Sequence, residues 1–180
     1  MFYAGIGSRS TPTEVLLFFE KVGEFLAKQN FILRTGGAKG ADTAFENGCD
    51  RASGIKEIYL PWKGFEGSFS NLIVKKEEAF EIASKFHPAW NRLSQGAKKL
   101  QARNSHQILG EDLMTPSGFV VCYTKNGKRS GGTGQALRLA EYYNIPIFDA
   151  GLYKNMKEIR LAFKQFLIEN TSLKEEDIKK

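Results

Sequence analysis

Apolar and polar positions along the chain follow two periods in turn, and their alternation lays out an order of strands and helices. Short apolar runs at Phe2–Ile6, Phe31–Arg34, Ile55–Leu60, Phe119–Tyr123 and Ile145–Phe148 have strand length and end in glycine, proline or polar clusters. Between them, apolar residues recur at helical spacing. In Thr11–Lys28, Val15, Leu16, Phe19, Val22, Phe25 and Leu26 share one face, Thr11 or Thr13 can cap it, and Pro12 suits the first turn. Ala41–Ala52 reads as a helix closed by Ser53-Gly54, and Trp62–Ser70 as a loop. Leu72–Phe86 reads as a helix with an ambiguous start, and Arg92–Leu109 as a basic helix. Thr133–Tyr143 follows the polar loop Lys125–Ser130, and Lys154–Glu169 closes the series with the stripe Met156, Ile159, Phe163, Phe166 and Leu167. This order predicts an α/β fold: one doubly wound, mainly parallel sheet with helices on both faces and right-handed crossovers. Residues 1–170 form a single domain on this reading, and 171–180 a frayed, charged tail.

Composition changes the picture only in part. The 180 residues are 42% apolar and 26% charged, ordinary values for a globular protein with room for a core. No apolar run reaches bilayer-spanning length and no signal-like segment opens the chain, so a cytoplasmic protein without a membrane partner is expected. Cys49 falls in a helix and Cys122 in a strand, where both are expected to be reduced packing residues. The net charge of +6 favours anionic ligands without distinguishing a nucleotide from a polynucleotide.

The candidate chemistry sits in three glycine-rich turns, each after a strand and before a helix. They are Gly5-Ile6-Gly7-Ser8-Arg9, Gly36-Gly37-Ala38-Lys39-Gly40-Ala41-Asp42 and Ser130-Gly131-Gly132-Thr133-Gly134-Gln135. Helix amino termini offer unpaired N–H groups and positive potential to a phosphate. In a parallel sheet all three turns share the carboxyl edge, where ligands bind near the reversal of strand order. The first turn lacks the third glycine of a dinucleotide fingerprint and the Lys-Ser/Thr of a P-loop, which disfavours an NAD dehydrogenase or an ATPase. Arg9 can clamp a phosphate, and Asp42 or Glu46 can meet a ribose hydroxyl or act as a general base. Asp42 also suits a first helical turn for electrostatic reasons alone. Arg103 and Asn104 lie in the polar run Gln101–Gln107 of the basic helix, and Trp62 follows the third strand, placed either to stack on a base or to pack. His87 and His106 have no cysteine at ligand spacing, so no metal site is expected, and no Gly-x-Ser-x-Gly elbow suggests a serine hydrolase.

Taken in order, Gly7-Ser8-Arg9, Gly36-Gly37-Ala38-Lys39-Gly40-Ala41-Asp42 and Gly131-Gly132-Thr133-Gly134 resemble the SLOG superfamily of Rossmann-like nucleotide-binding proteins, over roughly residues 2–150. The first two motifs are similar to the DNA-processing DprA/Smf branch. The third is similar to the Pro-Gly-Gly-x-Gly-Thr-x-x-Glu motif of the cytokinin-activating LOG phosphoribohydrolases, whose catalytic arginine the upstream Arg103 resembles. Ser130 replaces that motif's proline, Gln135 its threonine, and Arg138 its catalytic glutamate. An arginine cannot serve as a base.

The resemblance implies a nucleotide-derived small-molecule ligand with no required cofactor, such as a nucleoside phosphate, an ADP-ribose derivative or a nucleotide signal. The expected role is a sensor or sequestering protein, in phage-defence or counter-defence signalling. The expected ligand-binding set is Gly7, Ser8, Arg9, Gly36, Gly37, Ala38, Lys39, Gly40, Asp42, Trp62, Arg103, Asn104, Gly131, Gly132, Thr133, Gly134 and Gln135. Two alternatives stay open: an N-glycosidase using Asp42 or Glu46, and a DprA-like single-stranded DNA binder, the less favoured partner. Relatives in this superfamily often form dimers, so a homo-oligomer is expected, with the apolar final helix either supplying a surface or capping the sheet.

Overall fold

A computed structural model of the chain describes residues 1–178. Among these, six strands form one sheet: β1 (Phe2–Gly5), β2 (Ile32–Thr35), β3 (Lys56–Leu60), β4 (Leu72–Ile73), β5 (Phe119–Cys122) and β6 (Ile147–Asp149). Their order is β4-β3-β2-β1-β5-β6, and every pairing is parallel. The chain builds outward from β1 to β4, then returns across the sheet to place β5 on the other side of β1. The strand order therefore reverses between β1 and β5.

Side-chain alternation along buried strands divides the core in two. On one face, Tyr3, Leu33, Phe119, Val121 and Phe148 meet α1 (Thr13–Lys28), α2 (Ala41–Arg51) and α6 (Met156–Asn170) through residues such as Phe19, Phe45 and Phe163. On the other, Ala4, Val120 and Cys122 meet α4 (Gln95–Leu109) and α5 (Gly131–Tyr142) through Ile108, Leu109, Leu137 and Leu139. Helix α3 (Glu77–Lys85) packs on this second side through Ala79 and Ile82. Cys49 and Cys122 are both buried free thiols. No helix of the described residues is long and apolar enough to cross a membrane.

Several element boundaries differ from the sequence expectation. Leu72 and Ile73 do not open a helix but pair with Tyr59 and Leu60, and α3 begins only at Glu77. Two apolar residues beside an open strand edge gain backbone partners as a strand, and local periodicity carries no trace of that edge. The basic helix starts at Gln95 because Ser94 caps it, its hydroxyl accepting from the Ala97 N–H at 3.2 Å. Arg92 lies in a separate turn, Trp90–Arg92. Helix α5 begins two residues early, so Gly131 and Gly132 belong to its first turn. The charged end expected to fray folds back instead. Leu173 is buried in the first core cluster, Glu175–Ile178 forms α7, and Glu175 pairs with Lys164 at 2.9 Å; residues 179–180 of that tail lie outside the described part. The stripe of α6 caps the sheet, with Ile159, Phe163 and Leu167 buried.

Candidate functional site

A cleft of about 550 Å³ opens at the carboxyl ends of β1 and β5, within the roughly 300–1,000 Å³ typical of small-molecule sites. Its walls come from the segments that follow β1, β2 and β5, from the first turn of α5, and from α4.

The first two loops support each other. Gly40 has φ +92°, a conformation costly for a residue with a side chain, and a Cβ there would lie 3.0 Å from the Arg9 Cα and the Ser8 carbonyl. Backbone thus packs on backbone where the Gly7–Arg9 and Gly36–Gly40 loops meet. Asp42 is buried in the first turn of α2, and its Oδ2 accepts from the Ala38 N–H at 3.2 Å. The carboxylate therefore braces its own glycine loop. Burial pushes its pKa up to about 6, opposed by the charge of Arg103 and by the Ala38 and Gly36 N–H groups.

The third wall is unusual for a helix. From Gln101 to Leu109 every residue of α4 is buried, although Gln101, Arg103, Asn104 and Gln107 are polar. Arg103 lies between the glycine loops. Its Nη1 donates to the Gly36 carbonyl and its Nε donates to Asn104 Oδ1 at 3.1 Å. Burial lowers its pKa, while Asp42 raises it. A Cβ at Gly36 would stand 2.3 Å from Arg103 Nη1 and 2.5 Å from Gln107 Nε2, so a side chain there would displace the ends of both. Asn104 Nδ2 donates to the Gly132 carbonyl at 3.1 Å and to Gln135 Oε1 at 3.3 Å, which ties α4 to the first turn of α5. Ser130 gives that turn no side-chain cap, so the N–H groups of Gly131, Gly132 and Thr133, residues that line the cleft, have no hydroxyl partner from the cap position. Behind the loop, Asp149 accepts from the Thr124 N–H at 2.9 Å and from the Thr124 hydroxyl, anchoring the exit from β5.

Of the residues expected to touch a ligand, Gly7, Ser8, Arg9, Ala38, Asp42, Arg103, Asn104, Gly131, Gly132 and Thr133 line the cleft. Gly36, Gly37, Gly40, Gly134 and Gln135 do not line it, and Gly134 lies against the Arg129 carbonyl. Lys39 is outside, pairing with Glu66 at 3.6 Å, and Arg9 reaches the same carboxylate at 3.5 Å. Trp62 is also outside, 41% exposed and edge-on to Phe65 with centroids 5.2 Å apart. Glu46 does not reach the cleft. It faces β3, where it accepts from Lys56 Nζ at 2.8 Å, so of the two candidate bases only Asp42 is on the site. Arg138 points away as well, its Nε donating to the Phe86 carbonyl at 2.8 Å and its Nη1 to the Arg129 carbonyl at 3.3 Å.

The cleft also takes in Ser10, Gln101, Gln107, Tyr123, Thr124 and Lys125, which were outside the expected set. Tyr123 and Thr124 carry no local signal beyond following a strand. Gln101 and Gln107 had one: neutral amides recurring at i, i+3 and i+6 with Asn104 along one side of the helix. Among the described residues, no group of three or more His, Cys, Asp or Glu side chains is placed to hold a metal ion.

The parallel sheet and the reversal between β1 and β5 define a Rossmann-like α/β protein, with a cleft at the switch point. The fold is shared with DNA processing protein A from Helicobacter pylori, in a structure described for that protein's unique single-stranded DNA binding mode. The likeness has a TM-score of 0.56 and covers 92% of this chain and 73% of that one, at 20% sequence identity. At that identity it is a likeness of fold. No protein-family model matches the chain, and no curated protein matches its sequence.

Proposed function

We propose that the protein binds a nucleotide-derived small molecule in this cleft and acts by holding it, as a sensor or sequestering protein for a nucleotide signal. The observation that supports this most is Arg103. A buried guanidinium is costly to keep unless anions or acceptors surround it. Among the described residues, a carbonyl, an amide oxygen, the face of the Phe65 ring at 5.6 Å and the charge of a carboxylate with a raised pKa do so, and no fully ionised acid is hydrogen-bonded to it. A ligand phosphate beside it would complete its surroundings, with further N–H groups from the first turn of α5.

Binding without turnover fits the carboxylates. Glu46 is turned to β3, Arg138 occupies the position where the LOG-like motif has its glutamate, and Asp42 already accepts from its own loop. The test is native mass spectrometry of the protein purified from cells, followed by denaturation and identification of what is released. A stoichiometric nucleotide leaving intact supports the reading. Protein purified without one, and binding none of a panel of nucleoside phosphates and ADP-ribose derivatives, overturns it.

A second reading, single-stranded DNA binding, is favoured by the surface beside the cleft. Lys125, Lys128 and Arg9 stand at the cleft, and Phe69, 99% exposed, extends from the loop whose Ser68 lies next to Gly37. Cations track a phosphate backbone and an exposed ring stacks on bases. Oligonucleotide affinity that falls steeply with salt, and falls further in Phe69→Ala, would favour this reading.

A further inference from the structure

Among the described residues, the buried side-chain atoms without a hydrogen-bond partner are the Tyr3 hydroxyl, Gln101 Oε1, Gln107 Nε2 and Gln135 Nε2. Three of these four belong to glutamines around one cleft, and Gln101 and Gln107 line it. Each is more than nine-tenths buried. A buried polar atom left unpaired disfavours folding, whereas an apolar side chain of similar shape at the same place does not. An amide kept at such a position is explained when something outside the chain meets it.

The two amides bracket Arg103. Gln107 Nε2 ends beside Gly36 and Arg103 Nη1, 2.5 Å from where a Cβ of residue 36 would stand, and Gln101 lies at the other end beside Gly132, where a Cβ would be 3.5 Å from its Nε2. They stand six positions apart on the helix, about 9 Å along the axis. The buried charges at the cleft are Arg103 and Asp42, of opposite sign, and the other polar side chains with which α4 lines it are neutral amides. Such a chamber suits one compact anion attached to an uncharged body rich in hydrogen-bonding groups. Its depth suits a chain of phosphates poorly, because each further negative charge there would meet Asp42 without a second buried cation; Arg9, Lys125 and Lys128 line the cleft but are exposed.

We infer that Gln101 and Gln107 read the sugar or base of a nucleoside monophosphate through their unused amide atoms, while Arg103 between them holds its phosphate. This rests on the cleft being a nucleotide site. The experiment compares wild type, Gln101→Leu and Gln107→Leu by titration calorimetry. The probes are the four ribonucleoside 5′-monophosphates, the matching triphosphates and inorganic phosphate, and thermal melts are recorded in parallel. The monophosphate that binds wild type best should lose about tenfold in affinity in each variant, the loss of roughly one hydrogen bond. Inorganic phosphate should bind all three proteins alike, and the melting temperature should hold or rise. A purely structural amide gives the reverse pattern, a lower melting temperature with unchanged affinity. Where a leucine variant melts early, Gln→Met at the same site keeps the side-chain length and is measured in its place. Equal monophosphate affinity in wild type and both variants, or triphosphates binding more tightly than monophosphates, overturns the inference and leaves the nucleotide site standing. Wild type that binds no nucleotide at all overturns both.

Discussion

Asp42→Asn tests the electrostatics of the cleft with a single atom exchange. In the folded protein, burial raises the Asp42 pKa from 3.8 to about 6 even though Arg103 and two N–H groups favour the carboxylate. A difference of 2.2 units corresponds to about 3 kcal/mol between the two protonation states. The sign follows from the direction of the shift. With the folded pKa above the unfolded one, the folded state binds the proton more tightly. The group's contribution is therefore full below pH 3.8 and is lost as the pH rises through about 6. Asparagine keeps the shape and an acceptor for the Ala38 N–H but does not titrate. Urea denaturation of both proteins from pH 4 to pH 7.5 gives their stability difference at each pH, with the other titrating groups cancelling. Across that window the difference should move by about 2.4 kcal/mol in favour of the variant, part of the full ~3 kcal/mol being lost already at pH 4. Two stability curves that stay parallel to within about 0.5 kcal/mol would mean that Asp42 ionises as it does in the unfolded chain. That would refute the claim that the cleft floor desolvates it. A phosphate placed next to the carboxylate would raise its pKa further, so nucleotide binding near neutral pH should take up protons. Calorimetry in buffers of different ionisation enthalpy measures that uptake.

Arg103→Ala should weaken nucleotide binding by about 1.5–3 kcal/mol, and Arg103→Lys should not restore it, because the guanidinium uses separate nitrogens for Gly36 and Asn104. Arg9→Ala should cost less, about 1 kcal/mol or under, since Arg9 is 61% exposed and already paired with Glu66; titration calorimetry ranks the two. Gly132→Val should remove binding while the circular dichroism spectrum stays near wild type: its first side-chain carbon fits at 3.5 Å from Asn104 and Gln101, and the rest fills the space a phosphate needs. Overnight incubation with nucleoside monophosphates and ADP-ribose derivatives should release no free base or ribose phosphate by liquid chromatography and mass spectrometry. Release that disappears in Asp42→Asn would show that Asp42 is a base after all.

What the sequence alone determines here is whatever depends on neighbours along the chain. Period-2 and period-3.6 patterns are set by geometry within one strand or helix, so the strands Phe2–Gly5, Ile32–Thr35 and Phe119–Cys122 and the alternating α/β order were legible. A glycine that opens a helix is likewise a local signature, and the three glycine turns do converge on one sheet edge because parallel strands all point the same way. Tertiary structure decided what depends on partners distant in sequence. Leu72 and Ile73 are strand because the edge of β3 is there to pair with, and Leu173 is buried because α6 and α7 fold back onto the first core cluster. Glu46 and Asp42, four residues apart on α2, look equally placed as candidate bases. Only the position of Lys56 on β3 turns one of them away from the cleft. The clearest case is α4. Its polar run reads as a solvated face when the helix is considered alone, since sequence records polarity but not what lies opposite. Once α3, α5 and the sheet enclose that helix, the same glutamines, asparagine and arginine become the buried wall of the cleft, because burial belongs to the packed assembly and not to any one segment of it.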